Sequence, residues 1–218
     1  MTLRLAILGD SIAYGIGASR AADTLAPRLA GDLAGVGVRA DTRVFAVPGA
    51  CSADLAQQVR RATPWQPDIA VIVIGANDLT RLVPVDRATA ALRDAVRQLR
   101  AAGAEVVVAP APDLSVVPHV PAAFRGLVQA GSVLLRQAQA RVTLAEGGRV
   151  ADTDARTSAA FASDRSLFSG DRFHPSSAGY ALIAQALAPA VRAAANEAAA
   201  DQAKAGRPDL GDEDPGAA

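Results

Sequence analysis

Two short stretches hold the residue types that could do chemistry together. Ser11 sits in "AILGDSIAYGIGAS", and Asp171 and His174 sit in "SGDRFHPSSAGY". A serine hydroxyl is a weak nucleophile until a neighbouring base takes its proton. Histidine is the usual base, because it titrates near neutral pH. The chain has only two histidines. His174 has Asp171 three residues before it, and on a tight turn that carboxylate reaches the imidazole. It would fix the tautomer and stabilise the imidazolium, as the third member of a Ser-His-Asp set does. The following Pro175 and Ser176 suit a helix start that holds the loop. His119, in "SVVPHVP", has Asp113 as its nearest acid in sequence, too far back for one turn. It reads as a loop histidine at a pocket rim. Ser11 alone would read as a turn or cap residue; His174 and Asp171 change that reading.

Acyl transfer also needs donors aimed at the oxygen that becomes negative. "FAVPGACSADL" offers the backbone N–H of Gly49, where no side chain blocks a substrate. "IVIGANDLT" offers the amide of Asn77, and the N–H of Ser11 is a third candidate. Asp10 and Asp78 are acids by type, but each is better read as a loop brace that accepts backbone N–H groups. Cys51 reads as a small buried residue.

These segments must be held by regular elements. Leu3–Leu8, Arg43–Val47, Ile69–Ile74, Glu105–Ala109 and the short Val150–Ala151 read as strands buried on both faces. Between them, Leu25, Leu29 and Leu33 share a helical face, stopped by Gly35 and Gly37. Ser52 is expected to cap a helix with Leu55 and Val59, and Asp86 one with Leu92, Val96 and Leu99, ended by Gly103. Phe124, Leu127, Val128, Leu135 and Val142 mark a long helix. Tyr180, Ile183, Leu187 and Val191 mark another, which Pro189 is expected to kink. Repeated strand–helix units predict a doubly wound α/β domain over residues 1–197. Such sheets bind ligands beyond the carboxyl ends of their strands, and Ser11, Gly49 and Asn77 all follow strands. Residues 198–218 form an acidic tail containing Ala, Gly and Pro, and Asp201–Ala218 has no aromatic residue. That composition predicts disorder.

Composition narrows the partners. The chain has 218 residues, half of them hydrophobic, and zero formal net charge. No basic surface for nucleic acid is implied, and no apolar run reaches membrane-span length. One cysteine rules out an intramolecular disulfide and fits a reducing compartment such as the cytoplasm. No charged stretch, apolar core and small-residue cleavage site follow Met1, so no secretory signal is read. Two histidines and one cysteine argue against a transition-metal site. The glycine patterns of dinucleotide and P-loop sites are missing, so no cofactor is expected. The oligomeric state is left open.

Four blocks in order now give a resemblance. They are Gly9-Asp10-Ser11-Ile12, then Gly49, then Gly75-Ala76-Asn77-Asp78, then Asp171-Arg172-Phe173-His174 followed by Pro175. The chain resembles the SGNH hydrolases, also called GDSL-type esterases and lipases, over residues 6 to 190. Ile12 stands where the name-giving motif has leucine. The resemblance implies a three-layer α/β/α sandwich with a flavodoxin-like parallel sheet of about five strands. It implies Ser11 as nucleophile, His174 as base and Asp171 as its partner, with Ser11, Gly49 and Asn77 as the oxyanion hole. Apolar residues in the loops expected around the site, among them Ile12, Leu79, Leu82, Val117 and Phe173, suit an acyl chain better than a bare sugar. The expected substrate is a carboxylic ester or thioester of a short to medium acyl chain, with lysophospholipase-like cleavage included. Sugar deacetylation and acyl transfer would use the same residues. A non-catalytic flavodoxin-like module would leave Asp171 and His174 without a role.

Overall fold

The first strand shows why these segments read as nearly continuous apolar runs. In β1 (Thr2–Gly9), Leu3, Leu5 and Ile7 face one layer while Ala6 and Leu8 face the other. Both faces are covered, so neither needs polar residues. The structure is a computed structural model, and it describes residues 2–151 and 153–205. After β1 come α1 (Ser11–Tyr14), α2 (Leu25–Gly35), β2 (Arg39–Val44), α3 (Leu55–Ala62), β3 (Ile69–Val73) and α4 (Ala76–Thr80). Then follow α5 (Val85–Ala101), β4 (Glu105–Ala109), α6 (Arg125–Ala145), β5 (Arg149–Val150), α7 (Asp154–Ser163) and α8 (Ser177–Ala205).

The five strands form one parallel sheet in the order β2-β1-β3-β4-β5. On one face, Leu25, Leu29 and Leu33 of α2 and Tyr180, Leu187 and Val191 of α8 cover Leu5, Ile7, Val71 and Val107. On the other, Leu55 and Val59 of α3 and Leu92, Val96 and Leu99 of α5 cover Leu8, Ile72 and Val108. α6 packs beside α5. Each fully buried leucine or isoleucine contributes about 1.5–3 kcal/mol relative to exposure, so the layers are set by these stripes. The result is the expected α/β sandwich with a five-stranded parallel sheet flanked by helices.

The strand order matters for function. The chain leaves β1 to form β2 on one side, then returns to form β3 on the other. The crevice beyond the carboxyl ends of β1 and β3 is therefore the switch point where such sheets bind ligands. Ser11 follows β1 and Asn77 follows β3.

Several boundaries differ from expectation. β2 lies at Arg39–Val44, not Arg43–Val47. It is an edge strand with only β1 beside it and largely polar residues, so it lacks the apolar signature of its neighbours. The Phe45 and Val47 N–H groups still donate to Ile7 and Gly9 (2.8 and 3.1 Å), which guides the chain along β1 toward Gly49. β5 begins one residue earlier than read, at Arg149. Ser52 does not cap α3: a short 3-10 turn precedes that helix, and the Asp54 carboxylate accepts the Cys51 N–H at its start (2.8 Å). Asp86 lies in the first turn of α5, whose N-cap position is Pro84. α7 has no counterpart in the sequence reading. α8 continues through Pro189 to Ala205, past the expected boundary at 197. Ala198 is buried there, and the Gln202 amide donates to Asp68. The remainder of the expected tail lies outside the described residues.

Candidate functional site

The end of β1 is built to turn sharply. Gly9 has φ +131°, and a Cβ there would stand 1.8 Å from the Val73 carbonyl oxygen. Only glycine fits. Buried Gln58 of α3 holds this residue from both sides. Its Oε1 accepts the Gly9 N–H (2.7 Å), and its Nε2 donates to the Gly9 carbonyl (2.8 Å). Asp10 follows as the N-cap of α1, accepting the Ile12 N–H (2.9 Å). Burial pushes the Asp10 carboxyl up to about 7, against the pull of that N–H. Ser11 is the first residue of α1 and is only 8% exposed. Gly17 lets the next turn approach the His174 loop, since a Cβ there would lie 2.5 Å from the Pro175 carbonyl oxygen.

The second half of the site comes from the loop before α8. Phe168 and Pro175 form a bridge, and the Ser169 N–H donates to the His174 carbonyl (2.8 Å). Inside this loop one Asp171 oxygen, Oδ1, accepts the N–H groups of Phe173 and His174 (both 2.9 Å) and the Ser169 hydroxyl (2.7 Å). The other oxygen, Oδ2, stands 2.6 Å from His174 Nδ1. His174 Nε2 stands 2.9 Å from Ser11 Oγ. Partial burial raises the Asp171 carboxyl, but these hydrogen bonds, first that with His174, outweigh it and hold the group below the usual carboxylate range. An ionised Asp171 assigns the proton to Nδ1. The Nε2 lone pair is then directed at the serine hydroxyl.

The third part lies beyond β2 and β3. Gly49 has φ +81°. The Asn77 side-chain nitrogen donates to the Ala50 carbonyl (3.0 Å). It carries two hydrogens, so a second remains for a ligand. Among the described residues, neither the Ser11 nor the Gly49 N–H donates to a protein group. Asp78 is fully buried and accepts the Ser52 hydroxyl (2.9 Å) and N–H (3.1 Å), tying the Gly49 loop to α4. Both Asp10 and Asp78 thus brace loops. Cys51 is buried and free.

A cavity of about 80 Å³ opens at Ser11 and His174. Ile12, Val117 and Phe173 line it with Phe161, Phe168 and Ile183. Leu79 does not; it lines a separate groove next door, together with His119. The sequence reading missed Gln58 and the cavity face of α7, where Thr157, Ser158 and Phe161 lie. It also missed Gln139 of α6. Its Oε1 accepts the Ala111 N–H (2.8 Å) and its Nε2 donates to the Ile74 carbonyl (3.3 Å), joining the ends of β3 and β4. The available signal was a glutamine on the apolar stripe of each helix: Gln58 beside Leu55 and Val59, Gln139 between Leu135 and Val142.

Known proteins resemble this chain in sequence and in fold. The sequence profile of the GDSL-like lipase/acylhydrolase family matches residues 7–182. The GDSL-like esterase Rv1075c of Mycobacterium tuberculosis is 38% identical over 196 residues, covering 87% of this chain. The chain matches only 62% of that relative's length. An acetylxylan esterase of Geobacillus stearothermophilus, Axe2, superimposes with a TM-score of 0.69 at 19% identity, covering 87% of this chain and 94% of that one. The psychrotrophic esterase EstA of Pseudoalteromonas gives a TM-score of 0.67 at 18% identity, covering 88% and 98%. No helix among the described residues is long and apolar enough to cross a membrane.

Proposed function

Because the chain belongs to the GDSL-like lipase/acylhydrolase family, we propose that it is a serine esterase. Its substrates are carboxylic esters or thioesters of short to medium acyl chains. The observation that carries this reading is the unbroken link from Asp171 Oδ2 to His174 Nδ1 (2.6 Å) and from His174 Nε2 to Ser11 Oγ (2.9 Å).

The reaction follows from that link. Ser11 Oγ attacks the ester carbonyl carbon while His174 Nε2 takes its proton. Asp171 stays ionised and stabilises the imidazolium. The carbonyl oxygen becomes an oxyanion, met by the N–H groups of Ser11 and Gly49 and the free amide hydrogen of Asn77. As the tetrahedral species collapses, the leaving alcohol takes the proton from His174 and Ser11 holds the acyl group. Water then gives a proton to His174 and attacks the acyl carbon. The acid leaves, and the proton returns to Ser11. The apolar lining favours an acyl chain over a bare sugar. An acetylxylan esterase among the structural neighbours keeps sugar deacetylation as the second reading. Acyl transfer would need only an alcohol in place of water.

The test is hydrolysis of p-nitrophenyl esters by wild type and Ser11→Ala. Wild type should turn over, and the variant should lose that turnover while keeping its circular dichroism spectrum. Substantial turnover by a folded Ser11→Ala protein would remove Ser11 from the mechanism.

A further inference from the structure

The loop that carries Asp171 and His174 also walls a polar slot that has no role in the mechanism above. Arg165, Ser169, Gly170 and Arg172 line it with Pro118, and its volume is about 370 Å³. That lies within the roughly 300–1,000 Å³ of small-ligand sites. Its lining contains no acid. The slot and the serine cavity share no residue, but they are built from the same two loops: Pro118 follows Val117, and Arg172 precedes Phe173.

Three observations ask for an anion. First, among the described residues neither guanidinium pairs with a carboxylate, although each arginine has an acid beside it in sequence. Asp164 accepts the Ser166 N–H (2.9 Å), and both Asp171 oxygens are taken up inside the loop. Two like charges on one slot repel, and an anion between them removes that cost. Second, Arg172 has φ +56°, a left-handed conformation uncommon outside glycine. Glycine would suit that turn better, so the long cation is kept there at a backbone cost. Third, the Gly170 N–H donates to no protein group among the described residues. A Cβ on Gly170 would meet nothing within 4 Å, so a ligand has room beside it.

We propose that this slot binds a phosphate group, carried on a small soluble molecule or on a lipid headgroup. Two guanidinium forks match the three free oxygens of a phosphate monoester, and its charge of about −1.5 to −2 at pH 7 balances theirs. A single carboxylate would leave one cation unmatched. The Gly170 N–H supplies a backbone donor. The Ser169 hydroxyl, which donates to Asp171 Oδ1 (2.7 Å), sets the ligand one hydrogen bond from the carboxylate that orients His174. This site lies outside the esterase reading and stands without it.

The test is isothermal titration calorimetry of the full chain with inorganic phosphate and with glycerol 3-phosphate, against sodium chloride at matched ionic strength. Co-sedimentation with phosphatidylcholine vesicles, with and without phosphatidic acid, forms the lipid arm. Wild type should bind a phosphate probe at a single site with a Kd of roughly a millimolar or below. Arg165→Gln with Arg172→Gly should weaken that binding at least about tenfold, through lost charge-assisted hydrogen bonds. Both side chains are exposed and glycine suits the positive φ, so the double variant should keep its circular dichroism spectrum. Arg165→Gln alone leaves the His174 loop unaltered and should weaken binding in the same direction. Binding of either free probe, lost in the variants, assigns a soluble ligand. Binding confined to phosphatidic acid vesicles, and lost in the variants, assigns the lipid headgroup. No saturable binding of any probe would overturn the proposal. So would binding that both variants leave unchanged, or a response that sodium chloride reproduces.

Discussion

Replacing Gln58 should expose how much the nucleophile turn depends on one buried amide. Gln58 is 1% exposed and makes two hydrogen bonds, accepting the N–H of Gly9 and donating to its carbonyl. Gln58→Leu keeps the volume roughly similar and removes both. The Gly9 carbonyl still accepts the Val47 N–H, so the Gly9 N–H alone is orphaned. At about 1–3 kcal/mol for a buried backbone group, the variant should lose about that much. For a domain of this size each kcal/mol corresponds to about 2–4 °C in Tm. Gln58→Glu gives a sharper check. A carboxyl oxygen can accept the Gly9 N–H in either protonation state, but only the protonated acid can donate to the Gly9 carbonyl. The folded state therefore raises the pKa of that carboxyl above its unfolded value of about 4.3. The folded variant binds the extra proton, so its stability relative to wild type is greatest below about pH 4. It falls as pH rises through the folded pKa. Urea unfolding of wild type and both variants at pH 4, 6 and 8 reads this directly. Gln58→Leu within about 1 kcal/mol of wild type, or a Gln58→Glu deficit that does not grow with pH, would refute the reasoning.

Other substitutions test neighbouring claims. Asp171→Asn can keep the loop bonds through its Oδ1 but presents an amide N–H to His174 Nδ1, which forces the wrong tautomer. Its kcat should fall by about 10³–10⁴-fold with the fold intact, and a loss under tenfold would deny Asp171 its part. Asp10, with its carboxyl pushed up to about 7 by burial, penalises the folded state as pH rises from about 4 toward 7, because the unfolded group ionises first. Asp10→Asn should therefore gain on wild type by up to roughly 4 kcal/mol between pH 4 and pH 8; thermal melts showing no relative gain would contradict that. Gly9→Ala should lose more than about 3 kcal/mol or fail to fold, since its Cβ would overlap the Val73 carbonyl oxygen. A stable, active Gly9→Ala protein would mean the turn is not as tight as its φ implies.

What the sequence made legible is what is local. Asp171 and His174 lie three residues apart, and their contact follows from one loop. Ser11 follows a strand that could be read from its apolar run, and parallel strands carry their carboxyl ends to one edge. That is why Ser11, Gly49 and Asn77, each after a strand, could be assigned to one edge of the sheet. The misplaced elements were those whose residues carry little hydrophobic signal. β2 has one neighbour and reads Arg-Ala-Asp-Thr-Arg-Val, so the apolar Phe45–Val47 beyond it drew the assignment. α7 begins Asp-Ala-Arg-Thr and has no leucine stripe. Gly9 and Gln58 are 49 residues apart, and Gln139 meets Ile74 across 65. No spacing rule reaches that far. Yet each glutamine stood where its helix pattern called for an apolar residue. An amide is tolerated there only when it satisfies groups that would otherwise be orphaned. The groups needing this are backbone positions at strand ends that turn away from the ladder: Gly9, Ile74 and Ala111. In a parallel sheet those are also the positions that deliver a catalytic loop. A buried glutamine on a covering helix is therefore a pointer to the turn it clamps, and here both turns lead into the candidate site.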